Sequence, residues 1–179
     1  MASESEIVAA LAAIFKPTTS NLNSGNLVVG IGDDGAVANS SSKKIVMSTD
    51  MAVEGVHFKR EWSSLREIGG KITAANLADI YAMGGVPKYL LVSAALPANI
   101  TLDGVKELAQ GIKSEADLVG CSVVGGDISA AKELVISIAA FGEVDRPVTR
   151  SGAKVGDKVF ISNLPGFSAA GLAQLNIGV

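Results

Sequence analysis

Gly30-Ile31-Gly32-Asp33-Asp34-Gly35 is the stretch on which the fold turns. It fits the pattern G-x-G-x-x-G, it ends the apolar run Leu27 to Ile31, and Asp50 stands twenty residues past Gly30. In a dinucleotide-binding βαβ unit such glycines open a helix whose N-terminus holds a pyrophosphate. Two features argue against that unit here. Ala36 to Lys44 contains Asn39 and three serines, a composition that forms turns rather than a helix. Asp33 and Asp34 would also repel a phosphate directly, and adjacent carboxylates accept phosphate only across a cation. The stretch therefore reads as an acidic turn at a strand end.

Outward from that turn, strands and helices mix without a strict βαβ repeat. This predicts an α+β (mixed α/β) domain. Upstream, Ser3 and Glu6 have capping-box spacing before a helix over Ile7 to Phe15. Leu27 to Ile31 and Lys44 to Asp50 read as strands, with a turn-rich stretch from Gly32 to Ser42 between them. Leu65 to Met83 has helical periodicity, and Lys88 to Leu96 is a strand ending at Pro97. Thr101, Leu102 and Asp103 open an amphipathic helix that Gly120 ends. Ser122 to Val124, Leu134 to Val144 and Val155 to Ser162 read as strands, and Ala169 to Leu175 as a helix. A break near Asp145 to Arg150 divides residues 1–148, one domain, from 149–179, the start of another.

Composition narrows the function. The 179 residues are 48% hydrophobic but 4% aromatic, so the core is aliphatic. A net charge of −3 and the lack of a Lys/Arg run argue against nucleic acid. The single cysteine, Cys121, makes no internal disulfide, which points to the reducing cytoplasm. The N-terminus is acidic where a signal peptide is positive, and its apolar run is too short to span a bilayer.

Four aspartates stand out. Asp34 lies in the glycine-flanked turn, where it either caps the turn or binds a ligand. Asp50 ends a strand whose period of two places Val46, Ser48 and Asp50 on one face and Ile45, Met47 and Thr49 on the other; Thr49 adds its hydroxyl or its backbone carbonyl. On the helix, Leu65, Ile68, Ile72, Asn76, Asp79 and Met83 fall within roughly 60° of one another at ~100° per residue. Asp79 is thus expected in the apolar stripe, where a carboxylate needs a partner or a metal. Asp127 follows Gly125-Gly126, which is either a hairpin turn or a close approach of backbone to ligand. Oxygen ligands with one histidine and one cysteine in the chain suit Mg²⁺ rather than zinc. His57, in Glu54-Gly55-Val56-His57-Phe58, either contacts substrate or is structural. Arg150 either clamps phosphate or forms a surface ion pair. No G-x-S-x-G elbow supports a serine hydrolase.

Several segments, in order, resemble the N-terminal part of the thiamine-monophosphate kinase family. They are Gly30 to Ala36, Ser48-Thr49-Asp50-Met51-Ala52-Val53-Glu54-Gly55-Val56-His57-Phe58, Asn76-Leu77-Ala78-Asp79-Ile80, Ala82 to Pro87, Gly125-Gly126-Asp127 and Thr149-Arg150-Ser151-Gly152-Ala153. The family belongs with aminoimidazole ribonucleotide synthetase and selenophosphate synthetase. Its acidic turn, Thr-Asp strand end and Gly-Gly-Asp are shared across that superfamily, whereas Val53 to Phe58 selects the thiamine-phosphate branch.

The resemblance implies phosphorylation of thiamine phosphate by ATP to give thiamine diphosphate. It implies Mg²⁺ held by Asp34, Ser48, Thr49, Asp50, Asp79 and Asp127, ATP at Gly126, Asp127 and Arg150, and substrate at His57. It also implies a mixed sheet with helices on one face, forming a β-barrel across a homodimer interface. Two departures accompany it. Asn163-Leu164-Pro165-Gly166-Phe167-Ser168 replaces the family's Gly-Thr-Leu-Gly-Asp-Ser, and the family's C-terminal α/β domain is not in the chain, which is expected to be a fragment. The alternatives are another ATP-using member of the superfamily and a non-catalytic nucleotide-binding dimerisation module.

Overall fold

The computed structural model describes residues 3–16, 27–29, 37–38, 42–163 and 165–178. They divide into two compact units, residues 1–148 and 149–179. In the first, α1 (Glu4–Phe15) opens on the expected capping box. Glu6 accepts from the Ser3 N–H at 2.7 Å, and Ser3 Oγ accepts from the Glu6 N–H at 3.3 Å. This satisfies amides that a helix start leaves without partners.

A short antiparallel pair follows, β1 (Leu27–Val29) and β2 (Val37–Ala38). The turn-rich stretch thus contains a strand that its small residues concealed. The main sheet is built from β3 (Lys44–Val53), β4 (Val86–Pro97), β5 (Ser122–Ala131) and β6 (Val135–Val144), in the order β3-β6-β4-β5. It is mixed: β6 runs antiparallel to both neighbours, and β4 and β5 are parallel. Between the strands lie α2 (Leu65–Ala82), capped by Ser64 and Glu67, and α3 (Leu102–Leu118), capped by Thr101.

Burial on β6 alternates with the strand period. Ile136, Ile138 and Ala140 are wholly buried, and they join Ile68, Ile72 and Ile80 of α2 and Leu108 and Ile112 of α3 in one aliphatic core. The opposite sheet face is open on β3, where Ile45, Met47 and Met51 are 62%, 66% and 57% exposed. Side chains of successive strand residues point to opposite faces, so these three share the face away from Ser48 and Asp50.

The expected strand over Ser122 to Val124 extends to Ala131. Gly125 and Gly126 lie inside the ladder rather than in a hairpin turn. Leu90 pairs with Val123 and Leu91 with Gly125, so Val124 is an inserted bulge residue. A Cβ at Gly126 would fall on the Val92 carbonyl oxygen, so this close approach of β4 and β5 requires glycine.

In the second unit, Arg150–Gly152 forms a 3₁₀ turn and α4 spans Phe167–Asn176. Residues 155–162, expected as a strand, have no ladder among the described residues. Val155, Val159, Phe160 and Ile161 are exposed there. Their alternation specifies a strand only when a neighbouring strand accepts the backbone bonds.

Candidate functional site

Along the edge strand β3, alternation brings Ser48 and Asp50 to the side of α2. Ser48 Oγ donates to Asp79 Oδ2 at 2.7 Å. The Asp50 N–H donates to Asn76 Oδ1 at 3.0 Å, and Asn76 Nδ2 donates to the Ile72 carbonyl at 2.9 Å. Asn76 is fully buried. Its amide satisfies the outer backbone edge of the strand and the helix interior at once, which is why a polar group is tolerated there. Thr49 Oγ1 donates to the Ile138 carbonyl of β6 at 3.0 Å.

Asp79 corrects the helical-wheel expectation. It is exposed, whereas Asn76 and Thr73 are the buried polar residues of α2. The buried side of the helix runs through Gly69, Ile72, Thr73, Asn76, Leu77 and Ile80. Asp79 lies toward one margin of that stripe, beside the edge strand β3, and its carboxylate is exposed among the described residues. Asp50 is exposed as well. Among the described residues neither Asp50 nor Asp79 is in an ion pair with Lys or Arg. Two carboxylates and a hydroxyl thus share one rim, all hard oxygen donors.

Asp127 is on β5, the other edge strand, opposite Ser93 of β4. Two strands stand between β3 and β5. At a spacing of ~4.8 Å the two edges are about 14 Å apart. Asp127 borders instead a mostly apolar cavity of about 190 Å³ between α1, α3, β4 and β5, with Gly125 and Gly126 beside it. Among the described residues, no three His, Cys, Asp or Glu side chains gather closely enough to hold a metal. Asp34 lies outside the described residues, as does all of Gly30 to Gly35. Arg150 is exposed on the 3₁₀ turn of the second unit.

His57 sits in the turn after β3. Its Nδ1 accepts from the Val53 N–H at 3.1 Å. Two further residues of this region are not singled out as site residues by the sequence, Glu54 standing only within the Val53 to Phe58 run. Glu54 and Arg60 form a half-buried ion pair at 2.6 Å, and Arg60 also reaches Asn99 Oδ1 at 3.4 Å. A spacing of six would hold them about 20 Å apart in an extended strand and on different faces of a helix, so only the folded turn reveals the pair.

Residues 32–144 match the family model described as AIR synthase related protein, N-terminal domain. The chain belongs to this family. A thiamine-monophosphate kinase from Aquifex aeolicus is 41% identical over 145 residues, which cover 81% of this chain and 47% of the relative. The solved thiamine-monophosphate kinase from Stenotrophomonas maltophilia superposes with a TM-score of 0.83 at 28% identity, covering 98% of this chain and 54% of that one. A structure of AaThiL complexed with AMPPCP and TMP gives a TM-score of 0.73 at 40% identity, over 83% of this chain and 48% of that one. The chain spans about half the length of the curated relatives it matches. No helix among the described residues is long and apolar enough to cross a membrane.

Proposed function

We propose that this chain supplies the metal- and nucleotide-binding part of a kinase that converts thiamine phosphate and ATP into thiamine diphosphate and ADP in the cytoplasm. The observation that carries the reading is its 40% identity to AaThiL, which has been solved complexed with AMPPCP and TMP. In the transfer, a phosphate oxygen of thiamine phosphate bonds to the γ-phosphorus, the bond to the β-bridging oxygen breaks, and ADP leaves. Such a reaction needs positioning and charge neutralisation more than covalent help from the protein.

The donor set at the β3–α2 rim suits Mg²⁺, which takes one or two carboxylates and completes its shell with water and substrate phosphate. Asp50, Asp79 and Ser48 would hold one ion there, with Thr49 supporting the strand through its bond to Ile138, while Asp34 and Asp127, the latter about 14 Å away on the other edge, would serve further ions. When bound, the ion neutralises triphosphate charge. Gly126, Asp127 and Arg150 are assigned to ATP, and His57 to thiamine phosphate. Residues 149–179 are read as the beginning of a second α/β domain, whose exposed Val155, Val159, Phe160 and Ile161 are apolar surface awaiting cover. The open face bearing Ile45, Met47 and Met51 is assigned to a homodimer closed as a barrel.

Calorimetry of ATP binding with Mg²⁺, followed by chromatography of thiamine diphosphate, tests the reading. Binding with transfer supports it. Transfer to a different acceptor would favour another ATP-using member of the superfamily. Binding without transfer even when the whole protein is tested favours the second reading, a nucleotide-binding dimerisation module. Absence of ATP binding overturns both kinase and module.

A further inference from the structure

The turn after β3 engages every polar group of His57 but one. The His57 N–H donates to the Val53 carbonyl at 2.9 Å, and the His57 carbonyl accepts from Lys71 Nζ at 3.4 Å. Nδ1 accepts from the Val53 N–H at 3.1 Å. A backbone N–H can only donate, so Nδ1 of the neutral ring carries no hydrogen and Nε2 does. Among the described residues nothing bonds to Nε2, and the residue is exposed.

The turn is in turn fastened from behind. Gly55, at φ +81°, lets the chain reverse so that its N–H meets the Phe58 carbonyl at 2.8 Å. Glu54 continues the β3–β6 ladder: its N–H donates to the Leu134 carbonyl at 3.0 Å, and its Oε2 accepts from the Leu134 N–H at 3.4 Å. Oε1 is left for Arg60 Nε at 2.6 Å, and the other end of the guanidinium lies on Asn99. Leu134 is fully buried, so the brace ends on the core. A planar fork joining a carboxylate and an amide holds both more rigidly than a lysine would.

We infer that Arg60 is a positioning residue: acting through Glu54, it fixes the turn so that His57 is locked as the Nε2–H tautomer and presents a preset hydrogen-bond donor. An acceptor oxygen, such as one on the phosphate of thiamine phosphate, is what such a donor fits; that last assignment rests on the kinase reading. Presetting the donor removes the cost of selecting a tautomer and ring angle when the ligand docks.

His57 is the chain's one histidine, so the ring nitrogens can be read without assignment. The experiment is a long-range ¹H–¹⁵N correlation spectrum of the labelled chain, without a histidine tag, at mildly alkaline pH. A pyridine-like Nδ1 and a pyrrole-like Nε2 are expected. Arg60→Met should collapse this split toward the averaged pattern of a free imidazole, and Arg60→Lys should restore part of it. An averaged or Nδ1–H pattern in the unmodified chain overturns the inference, and so does an unchanged split in a folded Arg60→Met protein. If Arg60→Met does not fold, Glu54→Gln carries the same test, since it removes the charge that Arg60 grips. No nucleotide, metal or thiamine phosphate is needed. A failed kinase assay beside an intact split therefore rejects only the functional reading, and the reverse pattern rejects only this one.

Discussion

The two edges of the sheet carry carboxylates by different means. On β3, side chains do the fastening: Ser48 is bonded to Asp79, and the Asp50 backbone to the buried Asn76. On β5, backbone does it: Gly126 presses on Val92 with no room for a Cβ, and Asp127 follows directly. The first edge is tuned by hydrogen bonds that can be removed one at a time. The second is a steric fit that is either present or lost. Acidic residues that look equivalent in sequence thus depend on different forces.

Gly126→Ala is expected to have the largest effect. The added methyl meets a carbonyl that belongs to a ladder, and the loss should be about 3 kcal/mol or more in a denaturant titration. A loss of a few tenths would show that β4 and β5 separate easily and that the contrast between the edges is weaker than drawn. Asn76→Ala should come next, at about 2 kcal/mol, because it leaves the Asp50 N–H without its partner and opens a gap at a buried site. Hydrogen exchange at Asp50 should accelerate with it; slow exchange there would mean that another group takes over.

Asp79→Asn should cost less than about 1 kcal/mol, since the carboxylate is exposed and its amide can still accept from Ser48. What should disappear is the rise in melting temperature on adding millimolar Mg²⁺, which follows from ligand binding to the folded state. If the variant keeps that rise in full, the metal lies elsewhere. The smallest effect concerns the caps of α1 and α2. Glu6 and Glu67 are held below the ordinary carboxylate value of 4.5, chiefly by the backbone hydrogen bonds of Ser3 and Ser64. A depressed carboxylate stabilises the fold above its unfolded value, and that contribution is lost as pH falls through the folded one. Acidification below 4.5 should therefore fray both helix starts slightly, as amide exchange would register, and Glu67→Gln should blunt the pH response at α2 alone.

Much of the β3 edge could be read in the sequence, and little of the β5 edge. Period two placed Ser48 and Asp50 together, and a capping box marked where α1 begins. Helical period narrowed α2 to the right face but not to its margin: it cannot show that the sheet stops at β3, so Asp79 was expected in the core. Gly125-Gly126 misled for a related reason. Two glycines score as a turn locally, and only the neighbouring Val92 reveals that they are strand residues in a tight ladder. Cys121 is a milder case: one cysteine excluded a disulfide, but only packing shows its thiol pushed up to about 12 by burial and therefore unreactive near neutrality.

The bulge at Val124 gives chain length a role of its own. Because strand side chains alternate, one residue more or fewer before Gly125 would turn every later side chain of β5 through the sheet. Asp127 would then change sides without being substituted. Among relatives, counting residues between Cys121 and the Gly-Gly-Asp segment should foretell which face bears the carboxylate, even where every letter of that segment is the same.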